Sequence, residues 1–264
     1  ICFGQALTLL HGDGTNAGQN QTFLDSSTNN FTITRNGNTT QGSFSPFSRA
    51  DGYWSNYFAG SQSINAASST DWQFTGDFTI EAWYHPTNTG DKSIIVQQSG
   101  ASYFAFNVNT GTGFNIYLNS ASATISPTDI VPIVNQWNHI ALVRSGSTVK
   151  VYLNGVASST TATNSSTLGY NSSFYVGAVG TQSSGSVVGY LSNVRVVKGT
   201  AVYTSNFTPT TSPLTAITNT KLLTCQSNSF KDNSTNANAM TVNGSAPSVD
   251  RKSTRLNSSH TDIS

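Results

Sequence analysis

Short runs in which apolar and polar residues alternate recur along this chain, separated by clusters of Gly, Asn and Ser. A period of two is the mark of half-buried β-strands, and the intervening clusters are turn formers. Phe78-Thr79-Ile80-Glu81-Ala82-Trp83-Tyr84 alternates with Phe78, Ile80 and Ala82 on one side. Further strands are predicted over Ser102–Val108, Gly113–Leu118, Trp137–Arg144, Ser173–Val179 and Val187–Val197. In the last of these, Leu191 and Asn193 fall on one face, while Ser192, Val194 and Val196 fall on the other and are expected to meet the core. Val149 to Leu153 runs into Asn154-Gly155, the dipeptide best suited to a type I′ hairpin turn. Good helix formers are scarce, whereas β-branched and aromatic residues abound. The expectation is an all-β antiparallel sandwich or barrel, with one large sandwich over residues 51–213.

The two ends of the chain echo each other. Leu9-Leu10, Thr22 to Thr34 with its Asp25-Ser26-Ser27 turn, and Asn36-Gly37 find a counterpart near the C-terminus. There Leu222-Leu223, Ser229 to Asn236, Met240-Thr241-Val242 and Asn243-Gly244 follow in the same order. Self-similarity of this kind points to a tandem array in which residues 214–249 open a second repeat, or to equivalent hairpins supplied to one domain. Residues 1–50 then form an N-terminal hairpin segment, part of the sandwich or preceding it. At Asp250 the echo breaks, and the last 15 residues hold three of the twelve Lys and Arg. That stretch, 250–264, reads as a non-native or disordered tail.

Composition narrows the partners. Only 9% of the 264 residues are charged, the formal net charge is +1, and 102 residues are Ser, Thr or Asn. The surface is thus solvated by hydroxyls and amides. A balance near zero without a basic block argues against nucleic acid. No apolar run approaches the roughly 18 residues of a membrane-spanning helix. The chain opens Ile1-Cys2-Phe3 with neither Met nor a leader pattern, as a piece cut from something longer would. Cys2 and Cys225 stand 223 positions apart without a metal-type pairing, so isolated thiols or one disulfide between them both remain open.

Phe78 to Trp83, Trp137-Asn138-His139-Ile140-Ala141-Leu142-Val143-Arg144 and Val151 to Gly155 resemble successive strands of the laminin-G-like, concanavalin A-like lectin/glucanase superfamily. Tyr190-Leu191-Ser192-Asn193-Val194-Arg195-Val196-Val197-Lys198-Gly199 resembles its closing strand. Thr200 to Pro209 resembles the exit segment of versions found in bacteriophage and uncultured-virus structural proteins. The resemblance implies a two-sheet antiparallel jelly-roll sandwich.

Hydrolysis does not fit the carboxylates. A retaining glycosidase needs two carboxyl groups about 5–5.5 Å apart, and the glucanases of the superfamily carry theirs as E-x-D-x-x-E on one strand. Glu81 is the only glutamate here. Asp71 with Asp77, and Asp13 with Asp25, are the closest aspartate pairs, each in loop-like surroundings. Glu81 therefore reads as a structural hydrogen-bonding acid, and His139 as a satisfied sheet residue. Several members of the superfamily hold calcium between an N-terminal turn and the closing strand, which makes Asp25 and Asn193 the candidate ligands. The densest aromatic stretch, Tyr53 to Phe58, offers Trp54 and Tyr57 as candidate sugar-stacking rings. Trp83 and Trp137 read as core or sheet-packing rings.

The expected function is a non-catalytic binding or adhesion module recognising glycans or a host surface within a virion-type, tail fibre-like protein, alongside other virion or tandem domains. A carbohydrate-binding module of a secreted enzyme and a purely structural spacer are the alternatives. Each implies a virion or extracellular setting.

Overall fold

The computed structural model describes residues 29, 46, 54–178, 185–227, 230–244 and the backbone of 248–249. Cys2, Asp25, the N-terminal copy of the echo and the 250–264 tail lie outside these residues. Among the described residues the strands are β1 (Asn56–Ala59), β2 (Ser63–Ala66), β3 (Phe78–Pro86), β4 (Gly90–Ser99) and β5 (Ser102–Thr110). Next come β6 (Gly113–Ser120), β7 (Asn138–Ser145), β8 (Thr148–Leu153), β9 (Val156–Thr163) and β10 (Phe174–Val176). The last four are β11 (Val188–Lys198), β12 (Thr220–Thr224), β13 (Met240–Asn243) and β14 (Ser248–Val249). Every pairing is antiparallel.

Two sheets result. The larger runs β14-β1-β11-β3-β7-β8-β9, and β12 joins it beside β11. The smaller runs β13-β2-β10-β4-β5-β6. Alternation decides what lies between them. Phe78, Ile80, Ala82 and Tyr84 of β3 meet Phe104, Phe106 and Val108 of β5 and Phe114, Ile116 and Leu118 of β6 in one core. Its centre is aromatic: Phe74 lies 4.7 Å from Phe78 and 5.4 Å from Phe104, centroid to centroid. The fold is thus the jelly-roll sandwich expected. The hairpin expected at Asn154-Gly155 forms with φ of 49° and 82° at the two positions, as a type I′ turn requires.

Strict alternation fails in β11. Leu191, Val194 and Val196 all enter the core, although Leu191 was expected on the face opposite the two valines. Asn193 takes φ 54°, and the register against β3 shifts between Ser192 and Arg195. A bulge inserts one extra residue and returns the strand to the core in the opposite phase. The bulge also divides the flank of β11, which pairs with β1 over Val188–Leu191 and with β12 over Val194–Val197.

Residues 214–249 are expected to open a second repeat or to supply a hairpin to this domain, and the described strands among them pair with strands of this sandwich. Leu222 of β12 lies in the core, and β13 pairs with β2 from Met240↔Ala66 to Asn243↔Ser63. The Leu222-Leu223 pair gives β12 one residue for each side of its sheet, so the segment has apolar surface to bury here.

Candidate functional site

The outer faces of the two sheets differ in kind. On the larger sheet, Glu81 sits opposite the core with no solvent exposure. Its Oε1 accepts from Arg195 Nε at 2.9 Å and Nη2 at 2.6 Å. Its Oε2 accepts from the Tyr203 hydroxyl at 2.8 Å and lies 3.1 Å from His139 Nε2. Burial alone raises the pKa of this carboxyl, but the His139 hydrogen bond, the Arg195 charge and the Tyr203 hydroxyl outweigh it and hold it below the ordinary value. Burial and the neighbouring carboxylate push Tyr203 the other way, up. Both oxygens of the only glutamate are consumed in this network, as a structural acid requires.

The exit segment seals the network. Tyr203 and Phe207 stack at 3.6 Å and pack with Ala201 and Ala157 over Ala141, Val143 and Tyr152. Phe207 N donates to Gly155 O at 2.9 Å. A Cβ on Gly155 would lie 1.8 Å from Phe207 O, so the glycine serves the docking as well as the turn. Farther along the same face, Tyr57 packs on Tyr190 at 4.8 Å, and His85 meets Tyr190 and Trp137 edge-on at 5.9 and 5.5 Å. These rings satisfy one another in tilted and edge-to-face pairs rather than forming a flat platform.

Among the described residues no segment covers the outer face of the smaller sheet as the exit segment covers the larger one. Because Phe104, Phe106, Phe114 and Ile116 point inward, their neighbours Tyr103, Asn107, Asn115 and Tyr117 point outward. Register lines up Tyr175, Val96, Ala105 and Tyr117 across four adjacent strands. Two half-buried tyrosines therefore stand three strand spacings, about 14 Å, apart over a small apolar floor. Tyr103 meets Tyr117 edge-on at 6.1 Å, and Gln98 Nε2 donates to its hydroxyl at 3.3 Å. On the other side of the row, Asn115 Nδ2 donates to Asp91 Oδ2 at 3.1 Å, and the Ser126 hydroxyl donates to Asn115 Oδ1 at 3.1 Å. Rings beside amides and a carboxylate can stack on an apolar ligand face and hydrogen-bond its hydroxyls.

The residues singled out from sequence do not gather into one site. Tyr57 lies on the larger sheet, in the ring cluster. Trp54 is half-buried, and its carbonyl accepts from Ser192 Oγ at 2.9 Å. Asn193 is buried, and its Oδ1 accepts from Leu214 N at 2.9 Å and Gln226 Nε2 at 2.6 Å. That side chain ties the bulge to the segment after it, and its oxygen is already occupied. Asp71 pairs with Lys221 at 3.0 Å, whereas Asp77 accepts from Gly146 N at 2.8 Å. Cys225 is a buried free thiol, pushed up to about 12 by burial. Tyr103, Tyr117 and Tyr175 were missed, although a signal existed. In two of the expected strands a tyrosine and an asparagine occupy the phase opposite the phenylalanines.

Comparison with known proteins agrees with this architecture. Residues 58–202 match the sequence profile of the Concanavalin A-like lectin/glucanases superfamily. No curated protein matches the chain. Among solved structures, a candidate carbohydrate binding protein from Bacteroides ovatus ATCC 8483 superposes with a TM-score of 0.58 at 16% identity, over 87% of this chain and 68% of that one. A heptameric SAP-like pentraxin from Limulus polyphemus gives 0.41 at 18% identity, over 55% and 75% of the two chains. Domains LG4-5 of the mouse laminin alpha1 chain give 0.42 at 16%, over 61% and 47%. At such identities the likeness to the Bacteroides protein is one of fold.

Proposed function

This chain belongs to the Concanavalin A-like lectin/glucanases superfamily, and we propose that it serves there as a non-catalytic glycan-binding module whose binding surface is the outer face of the smaller sheet. One observation carries the reading: Tyr103, Tyr117 and Tyr175 share that face with Gln98, Asn107, Asn115 and Asp91. Tyrosine rings stack on the C–H faces of pyranoses, and amides read hydroxyls in both directions. The burial of Glu81 in its ion pair supports the non-catalytic part, since a carboxyl held ionised has no proton to give and one without solvent exposure offers a substrate no approach. The proposal extends to a virion-type or other extracellular structural protein, supported by the resemblance of Thr200–Pro209 to a viral exit segment.

A glycan array probed with the wild type and with Tyr117→Ala, each with and without EDTA, tests the reading. Binding to a defined set of glycans that Tyr117→Ala abolishes is expected. An array blank for the wild type would make the domain a structural spacer. Binding that Tyr117→Ala leaves intact would move the site elsewhere.

A further inference from the structure

The amide side of the tyrosine row carries an imbalance. Asn107 is 7% exposed, lies between Ser93 and Asn115 in register and points away from the core, yet its Oδ1 finds no hydrogen-bond partner among the described residues. Asp91 Oδ1 is likewise enclosed and without a partner. The two belong to one patch. Asn115 reaches from β6 to Asp91 on β4, so their hydrogen bond spans β5, the strand that carries Asn107. The Asp91 charge is also felt by the Tyr117 hydroxyl, whose pKa burial and Asp91 together raise. Two acceptors left unpaired in an enclosed position cost stability that the fold does not recover internally. Donors supplied from outside would recover it.

The charge of the patch limits which donors. The strands of the smaller sheet hold one basic residue, Lys92, and it pairs with Val108 in the register that faces the core. No cation therefore stands among the outward residues of these strands, and one carboxylate does. An anionic ligand would meet Asp91 with no cation from these strands to balance it.

We propose that Asp91, Asn107 and Asn115 form a hydroxyl-donor subsite beside Tyr117, which makes the face selective for neutral glycans over uronic-acid or sulfated ones. The ligand presents neighbouring hydroxyls, one donating to Asp91 and one to Asn107, and they displace the Asn115–Asp91 hydrogen bond that bridges the strand. Asn115 is released to donate to a ring or glycosidic oxygen. A bond to a charged acceptor is stronger than one to a neutral amide, so Asp91 contributes most. This inference rests on the glycan-binding reading and adds the ligand class to it.

Calorimetric titration of the full chain with gluco-, manno-, galacto- and xylo-configured neutral hexasaccharides, and with hexagalacturonate, is the test. The wild type should bind at least one neutral hexasaccharide and bind hexagalacturonate at least about tenfold more weakly. Asp91→Asn should weaken the neutral ligand about tenfold and narrow that gap. Asn107→Leu should lose affinity while its melting temperature holds or rises, because an apolar group of similar shape removes an unpaired acceptor. A merely structural asparagine would show the reverse, with Tm falling and affinity kept. Hexagalacturonate binding as tightly as any neutral ligand overturns the selectivity. Neutral binding unchanged within twofold in both variants overturns this subsite and leaves the glycan reading standing. A wild type that binds none of the five probes overturns both.

Discussion

The two outer faces of this sandwich are built from the same alternation, yet among the described residues one is covered and the other is not. On the larger sheet the outward positions of β3, β7 and β11 carry Glu81, His139 and Arg195, three groups that demand one another once water is excluded. Tyr203 and Phe207 then cover them. On the smaller sheet the outward positions carry tyrosines and amides, which tolerate water and need no cover. A buried ion pair contributes little relative to an apolar alternative, but breaking it is costly. The larger face is therefore committed to structure, and the smaller one is the face proposed for binding.

The sharpest way to break the contrast is to disarm the closed face. Glu81→Gln leaves Arg195 buried without a counter-charge and should cost about 3–5 kcal/mol in urea unfolding. The loss should depend on pH. The folded pKa of Glu81 lies below its unfolded value near 4.5, so its stabilisation is complete above that value and is lost as pH falls through the folded one. The gap between wild type and Glu81→Gln should stay constant from neutrality to about pH 5 and narrow in acid. A constant gap down to pH 3 would mean that the ionised carboxylate is not what stabilises the face.

Next in size is the fastening of the cover. Gly155→Ala forces a side chain into φ 82° against the Phe207 carbonyl and should cost about 1–3 kcal/mol. Amide exchange over residues 200–207 should quicken while that of β5 and β6 does not change. Uniform acceleration would show that the exit segment is not a separate cover. In β11, Val194→Ala removes two buried methyl groups and should cost about 1–3 kcal/mol. Lys198→Ala, just past the core and bonded to the Thr70 carbonyl, should shift stability by less than about 0.5 kcal/mol. Equal urea midpoints for the two would remove β11 from the core.

What was legible in the sequence follows the same division. β3, β5, β6 and β8 alternate, because each has one face in the core and the other outside it, whereas β7 is apolar on both faces because the exit segment covers its outer one. β4 escaped notice because a bulge between Ser93 and Ile95 puts Ile94 and Ile95 into the core together. In β11 the bulge at Asn193 reversed the phase midway, and one asparagine carries no signal of that. β9 is a Ser- and Thr-rich edge strand with almost nothing to bury. The proposed binding face was legible in principle, since Tyr103 and Tyr117 alternate with the core phenylalanines. Sequence density instead favoured Tyr53 to Phe58, where Tyr57 spends its ring on Tyr190. The Glu81 network joins residues 58 to 122 positions apart, a separation at which no local spacing betrays a partner.

Amide and side-chain chemical shifts followed during titration with the tightest neutral hexasaccharide test the division of labour most directly. Perturbations are expected at Asp91, Gln98, Tyr103, Asn107, Asn115, Tyr117 and Tyr175, with Tyr57, Trp137, Tyr190, Tyr203 and Phe207 unmoved. Shifts confined to the second group would place binding on the larger sheet and contradict the account.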